Sequence, residues 1–299
     1  MSVNPLLLLP DFAVIFLGAV LVRGMALGPQ FWSGAERLVY YVLLPPMLFS
    51  AIARAQFALD EAIFFVGLGL AVMGLAVVAS ALAYPLLRPN ARTFASCMQT
   101  GFRFNSYVGL ALASSLWGPK AVALMAVLIA VCLPIANVIA VLALARQHEL
   151  HVARELIRNP LVLATLAGLL ANLLGLRMPE AANVFLTRLG NASLAMGLLC
   201  IGAGLKFPIQ TAAMKTLSYF TALKLLGVPL IAWAVAWIAQ PQPLEAAVLI
   251  LFSALPTASS AYVLATRLGG DGASVAAIIS AQTVFAMLSL PLVMMLAPI

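Results

Sequence analysis

Charge is what this sequence has least of. Only 8% of its 299 residues are charged, nine of them acidic, and there are just two histidines. A soluble domain carries about 25% charged residues, so this chain has too few to cover a surface in water. That excludes a soluble enzyme, a DNA-binding protein and a disordered chain. The apolar stretches also lack paired acids and any Ser/His or His/Glu grouping, which argues against an intramembrane enzyme. Cys97, Cys132 and Cys200 lie singly in apolar runs, with neither metal spacing nor a disulfide framework, and read as packing residues. What is present is 64% apolar, with a mean hydropathy of +1.11. The strands of a membrane β-barrel would alternate with polar lumen positions, so the expected class is an all-α polytopic membrane protein. The net charge of +7 comes from scattered single residues and implies no nucleic-acid partner.

A spanning helix needs about 20 mostly apolar residues. Ten segments qualify: 6–27, 38–53 with its polar lead-in, 61–84, 93–117, 119–144, 159–176, 183–205, 213–239, 244–268 and 273–297. The N-terminus lacks the basic region and cleavage site of a signal peptide, so the first helix is expected to stay. With the N-terminus placed outside, inner loops hold Arg23, Arg37, Arg88, Arg92, Arg146, Arg154, Arg158, Lys206, Lys215 and Arg267. Outer loops hold only Arg54, Lys120, Arg177 and Arg188. Lys and Arg favour the cytoplasmic side, so both termini are expected outside.

The halves rhyme at an offset of about 150–157 residues. Asn4-Pro5 answers Asn159-Pro160, Arg37-Leu38 answers Arg188-Leu189, Asn105-Ser106-Tyr107 answers Ser259 to Tyr262, and Leu133-Pro134 answers Leu290-Pro291. Five spans per half require opposite insertion of the two halves, the plan of many secondary transporters. The expected division is 1–145 for the first repeat, 146–158 for a cytoplasmic connector and 159–299 for the second, inverted repeat. In the connector, His148-Glu149-Leu150-His151 resembles a zinc motif, but the histidines are three apart rather than four.

Transporters of this plan use broken helices, whose exposed backbone ends ligate ions and anions. The fourth segment packs Gln99, Thr100, Gly101, Arg103, Asn105 and Ser106 into eight positions. The ninth contains Pro256, which removes a backbone donor, followed by Thr257, Ser259 and Ser260. These segments occupy equivalent places in the repeat, so helices 4 and 9 are expected to be broken and to cross. A central Arg costs roughly 2.5–3.5 kcal/mol to insert, so Arg103 should face a cavity or a partner. No acid lies at its depth in the ten segments; Asp11, near an outer end, comes nearest. Arg103 then either binds an anion through its planar fork or satisfies carbonyls released by the break. Lys224 either binds substrate, replaces a coupling cation or pairs with helix-end carbonyls. Asp11 either carries a coupling proton or caps helix 1. Asn137 and Gln282, on equivalent helices 5 and 10, either support the site or bond helix to helix. Pro45-Pro46, Pro134 and Pro291 are expected to kink their helices.

At these residues the chain resembles the auxin efflux carrier family, in particular its bacterial members, which include malonate and other organic-acid permeases. The likeness lies in GFRFNSYVGLALA (101–113), the stretch from NPLVLATLAGLL to LLCIGAGL (159–205), ALKLLGVPLI (222–231) and ALPTASSAYVLATRLGGD (254–271). It implies a ten-helix fold like that of bile-acid/sodium symporters. Helices 1, 2, 6 and 7 would form a scaffold and a homodimer interface, and helices 3–5 and 8–10 a moving transport domain. It places the crossovers at Phe104-Asn105-Ser106 and Pro256-Thr257-Ala258. Plant members carry proline at both; here helix 4 has none, and Gly101 stands in as the flexible point.

The expected function is secondary transport of a small organic anion, a malonate- or auxin-like carboxylate, by elevator-type alternating access in a bacterial inner membrane. Arg103, Asn105, Ser106, Tyr107, Pro256, Thr257, Ser259 and Ser260 are the candidate substrate residues. Lys224, Asn137, Gln282 and Asp11 are candidate coupling or support residues. No cofactor or metal is expected, and coupling to H+ or Na+ is left open. The alternative is a non-transporting sensor or scaffold on the same fold.

Overall fold

The computed structural model describes residues 5–24, 27–54, 59–144, 160–176, 178–205 and 214–296, and every regular element among them is helical. A helix pairs its peptide groups within its own segment, which is decisive where water is absent. Helix α1 (Leu9–Gly24) follows a 3-10 turn at Pro5–Leu8. Helices α2 (Pro29–Leu38) and α3 (Leu44–Ala53) join through a π turn at Val39–Leu43. Next come α4 (Leu59–Ala81), α5 (Ala83–Leu87), α6 (Ala91–Met98), α7 (Ser106–Trp117) and α8 (Pro119–Leu144). The second half holds α9 (Pro160–Leu173), α10 (Glu180–Ala203) and α11 (Met214–Ala222), with a π turn at Leu223–Gly227 leading into α12 (Val228–Ala239). It ends with α13 (Pro243–Ala254), α14 (Ser260–Arg267) and α15 (Gly272–Leu296).

Among the described residues, six helical runs are long and apolar enough to cross a membrane: Pro29–Ala53, Glu61–Leu87, Pro119–Leu144, Glu180–Ala203, Met214–Ala239 and Gly272–Met295. The other four expected segments differ for two reasons. The helix in 6–27 is 16 residues long and that in 159–176 is 14. Segments 93–117 and 244–268 are each split into two helices. The polar lead-in of the second segment proves to be helical, so that run starts at Pro29 rather than near residue 38. The connector with its His148 motif, and Arg177 and Lys206, lie outside the described residues.

Proline acts here in two ways. Pro134 and Pro291 sit inside continuous helices. Pro45-Pro46 and Pro229 instead follow the two π turns, where the Leu44 and Val228 amides reach back five residues to Val39 and Leu223. Proline offers no amide to the preceding turn, and the wider turn absorbs the missing bonds.

The helices sort by packing into two groups. Helices α1, α3, α9 and α10 pack on one another, with α2 against α10. Helices α4, α6, α7, α8 and α11 to α15 form the second group, and α3 and α9 against α8, and α10 against α7, join the two. All three cysteines are free and buried. In the first group α1 and α10 meet backbone to backbone: a Cβ at Gly202 would collide with the Ile15 carbonyl, and one at Gly18 with the Leu199 carbonyl. Small residues permit such approach between membrane helices. Gly202→Ala should therefore lower unfolding stability by about 1–3 kcal/mol, read as a lower melting temperature in detergent. Gly24→Ala, which meets open space, is the control with little change.

Candidate functional site

The fourth segment is interrupted where its polar residues cluster. Helix α6 tightens into a 3-10 turn at Gln99–Gly101, the chain runs free of helix from Phe102 to Asn105, and α7 begins at Ser106. Asn105 starts α7 by a local bond, its Oδ1 accepting the amides of Tyr107 at 3.1 Å and Val108 at 3.4 Å. Short polar side chains favour this capping position because they satisfy first-turn donors. The ninth segment is interrupted between Ala254 and Ser260, around Pro256. Gly101 also allows close packing, since a Cβ there would strike the Ser80 hydroxyl.

The two interruptions touch. Thr257 Oγ1 donates to the Thr100 carbonyl at 2.8 Å, and its amide donates to Gln282 Oε1 at 3.0 Å. Gln282 Nε2 in turn donates to the carbonyls of Thr100 and Phe220, at 3.0 and 3.1 Å. Lys224 Nζ donates to the Ser253 carbonyl in the last turn of α13, at 3.1 Å. A cation suits the carbonyl end of a helix, so Lys224 closes the first half of the broken ninth segment.

Arg103 lies in the first interruption with only 4% of its surface exposed. Its Nη1 donates to Gln99 Oε1 at 2.9 Å; its Nη2 donates to Asn137 Oδ1 at 2.7 Å and Ser260 Oγ at 3.1 Å. These bonds use three of the five guanidinium donors, and every acceptor is neutral. The guanidinium borders a cavity of about 430 Å³ between the first interruption and α2, the following π turn and α14. The same cavity is lined by Asn105, Ser106, Tyr107, Asn137, Ser259 and Ser260.

Other expected site residues lie elsewhere. Pro256, Thr257, Lys224, Gln282 and Asp11 do not line this cavity. Thr257, Lys224 and Gln282 are spent on backbone groups that the broken helices release. Asp11 faces Ser115 of α7, and its Oδ2 is buried without a partner among the described residues. The sequence reading missed Glu36, Arg37, Tyr40 and Arg267, all of which line the cavity. Glu36 lies in the polar turns of α2, outside the apolar segments where a buried acid stands out.

A second polar cluster ties the start of the fourth segment to the end of the ninth. Asp271 accepts the Thr93 hydroxyl at 2.8 Å and the Ser274 hydroxyl and amide at 2.7 and 3.0 Å, while its own amide donates to Ser96 Oγ at 2.7 Å. Burial pushes the Asp271 carboxyl up. The bonds from Ser274 and Thr93, with Arg92 nearby, outweigh that and hold it below the ordinary carboxylate range.

These features define a helical membrane protein with a polar, arginine-based cavity between two interrupted helices. The chain matches the membrane transport protein family over residues 144–294, about half its length. It belongs to that family, the auxin efflux carrier family, whose members are membrane transporters. A comparison with curated proteins gives no match.

A carboxyl held low in the folded state stabilises it above the unfolded pKa and loses that contribution as pH falls through the folded value. Asp271→Asn should therefore lower the melting temperature near neutral pH. The gap to the wild type should close as pH drops below about 4.

Proposed function

We propose that this chain is a secondary transporter of a small organic anion, a carboxylate of malonate- or auxin-like kind. The observation that carries the reading is Arg103: a guanidinium inside an apolar chain, bordering a cavity, with three neutral acceptors and two donors that no other described residue takes. A carboxylate can accept from the remaining Nε–H or Nη1–H, and takes a two-bond fork by displacing Ser260 or Asn137 from Nη2. Arg37 and Arg267 add positive charge to the same cavity. Asn137 and Ser260 orient the guanidinium; Ser106, Tyr107 and Ser259, with the Asn105 amide group, offer polar contacts to the ligand. Thr257, Gln282 and Lys224 brace the broken helices, with Pro256 holding the second break.

Ten spans in two inverted five-helix repeats suit the same features. Thr257 bonds to Thr100, and Arg103 to Ser260, each pair 157 residues apart. Equivalent residues of a two-fold repeat meet where the repeats cross, so this shared spacing favours the inverted arrangement. The first packing group corresponds to a scaffold of helices 1, 2, 6 and 7, which also offers a homodimer surface. The second corresponds to a transport domain of helices 3–5 and 8–10. The cavity lies where the two groups face each other, as elevator-type alternating access requires. Arg37 and Arg267 stand on the side that the Lys/Arg bias assigns to the cytoplasm, so the cavity faces inward, with both termini outside a bacterial inner membrane.

Losing a buried charge that pairs with a ligand costs about 2–5 kcal/mol, about 30-fold or more in affinity. Arg103→Ala should bring uptake of radiolabelled carboxylates into proteoliposomes down to background, with the elution profile and helical content of the wild type. Full uptake by that variant would remove Arg103 from the site.

A further inference from the structure

Among the described residues, three guanidinium groups line the cavity, those of Arg37, Arg103 and Arg267, against one carboxylate, that of Glu36. No described acid pairs with any of the three. Arg103 reaches neutral oxygens only, and Glu36 accepts from Ser259 Oγ at 3.2 Å. Glu36 and Arg37 are neighbours on α2 and offset each other's charge on that wall. Two positive charges are left without compensation, on Arg103 and Arg267.

Both belong to the second packing group, Arg103 in the first interruption and Arg267 at the end of α14. One helical face connects them. Ser260, Val263, Leu264 and Arg267 all line the cavity, at the spacing that puts residues on a single stripe of a helix. Ser260 accepts from Arg103 at 3.1 Å at one end of the stripe. Val263 and Leu264 form an apolar stretch beyond it, and Leu133 and Val141 of α8 line the same cavity. Arg267 stands two turns on from Ser260, about 10 Å along the axis. Each Cα–Cβ bond of a helix tilts toward its N-terminus, so Arg267 is directed back over the apolar stretch. A cation in a last turn also suits the carbonyl end of its helix, but no hydrogen bond to another described residue holds Arg267 there. The wall therefore presents a cation, an apolar surface and a second cation in order along one body.

We propose that Arg267 is the second anchor of this site, and that the site takes a dianion with a carboxylate at each end of an apolar chain longer than that of malonate. One carboxylate sits on Arg103 beside Ser260, the chain lies against Val263 and Leu264, and the other carboxylate pairs with Arg267. A monocarboxylate leaves Arg267 unpaired, and malonate, with a single methylene between its charges, does not span the apolar stretch. Both anchors stand on the same packing group, so a ligand held at both ends stays with that group. The inference rests on the anion reading of the cavity and names the ligand class for it.

Calorimetric titration of the purified protein tests it with adipate, monomethyl adipate and malonate. The ester keeps the length of adipate and loses one charge. The wild type should bind adipate about fivefold more tightly than the ester, the size of one solvent-accessible ion pair. Arg267→Gln should erase that preference and cost adipate more than malonate, and Arg267→Lys, which keeps the charge, should retain it. Arg37→Gln removes an equal charge from the opposite wall and should weaken adipate and ester alike, keeping their ratio. A purely structural role at the end of α14 would lower the melting temperature of Arg267→Gln and leave the ratio as it is. Equal binding of adipate and ester by the wild type, an unchanged preference in Arg267→Gln, or the same loss of preference in Arg37→Gln overturns the second anchor and leaves the anion site standing. Failure of all three ligands to bind the wild type overturns the anion reading, and this inference with it.

Discussion

A helix broken inside an apolar layer releases amides and carbonyls that hydrocarbon cannot satisfy, each at a cost of several kcal/mol. Much of the polar chemistry of this protein answers that constraint. Asn105 takes the first amides of α7, Thr257 and Gln282 take the Thr100 carbonyl, and Lys224 takes a carbonyl at the end of α13. The interruptions persist because they satisfy each other: a hydroxyl and an amide of the second break are used by the first break and by Gln282. Phe104 and Phe252 pack beside them with ring centroids 4.5 Å apart, closing the crossing with apolar surface.

Once the backbone is satisfied, the remaining polar groups are free to serve a ligand. Arg103 reaches only neutral oxygens, and its strongest fixed contact, at 2.7 Å, comes from Asn137 on the long helix α8. A rigid neutral acceptor orients the guanidinium without neutralising it, so its positive charge stays open to an anion. An acid in the place of Asn137 would have closed the site electrostatically. Glu36 stands across the cavity, reached through Ser259 rather than by direct pairing with Arg103. The separation leaves both charges facing the cavity.

The cavity between the packing groups is lined mostly by polar and aromatic residues, while the apolar core around it runs through both groups. In the first group glycine allows backbone contact between α1 and α10.

Much of the helical plan was legible in the sequence, because length and apolarity alone decide whether a segment suits a membrane. The interruptions were legible too: Pro256 removes a donor, and no apolar helix carries six polar or flexible residues between Gln99 and Ser106 without a reason. Arg103 stood out by its cost. Glu36, Arg37 and Arg267 did not stand out, since each lies in a polar stretch where charge is ordinary, and the run through α2 has the lowest mean hydropathy of the six, 1.2. Thr257, Lys224 and Gln282 were visible as polar residues, but sequence could not separate a ligand-facing hydroxyl from one bonded to backbone. Periodicity and composition thus determined the helices, their breaks and the buried cation, because those depend on local chemistry and on the solvent. Only the tertiary structure decided which polar groups remained for the cavity, because that depends on partners on other helices, from Gln282, 25 residues from Thr257, to Thr100, 157 residues from it.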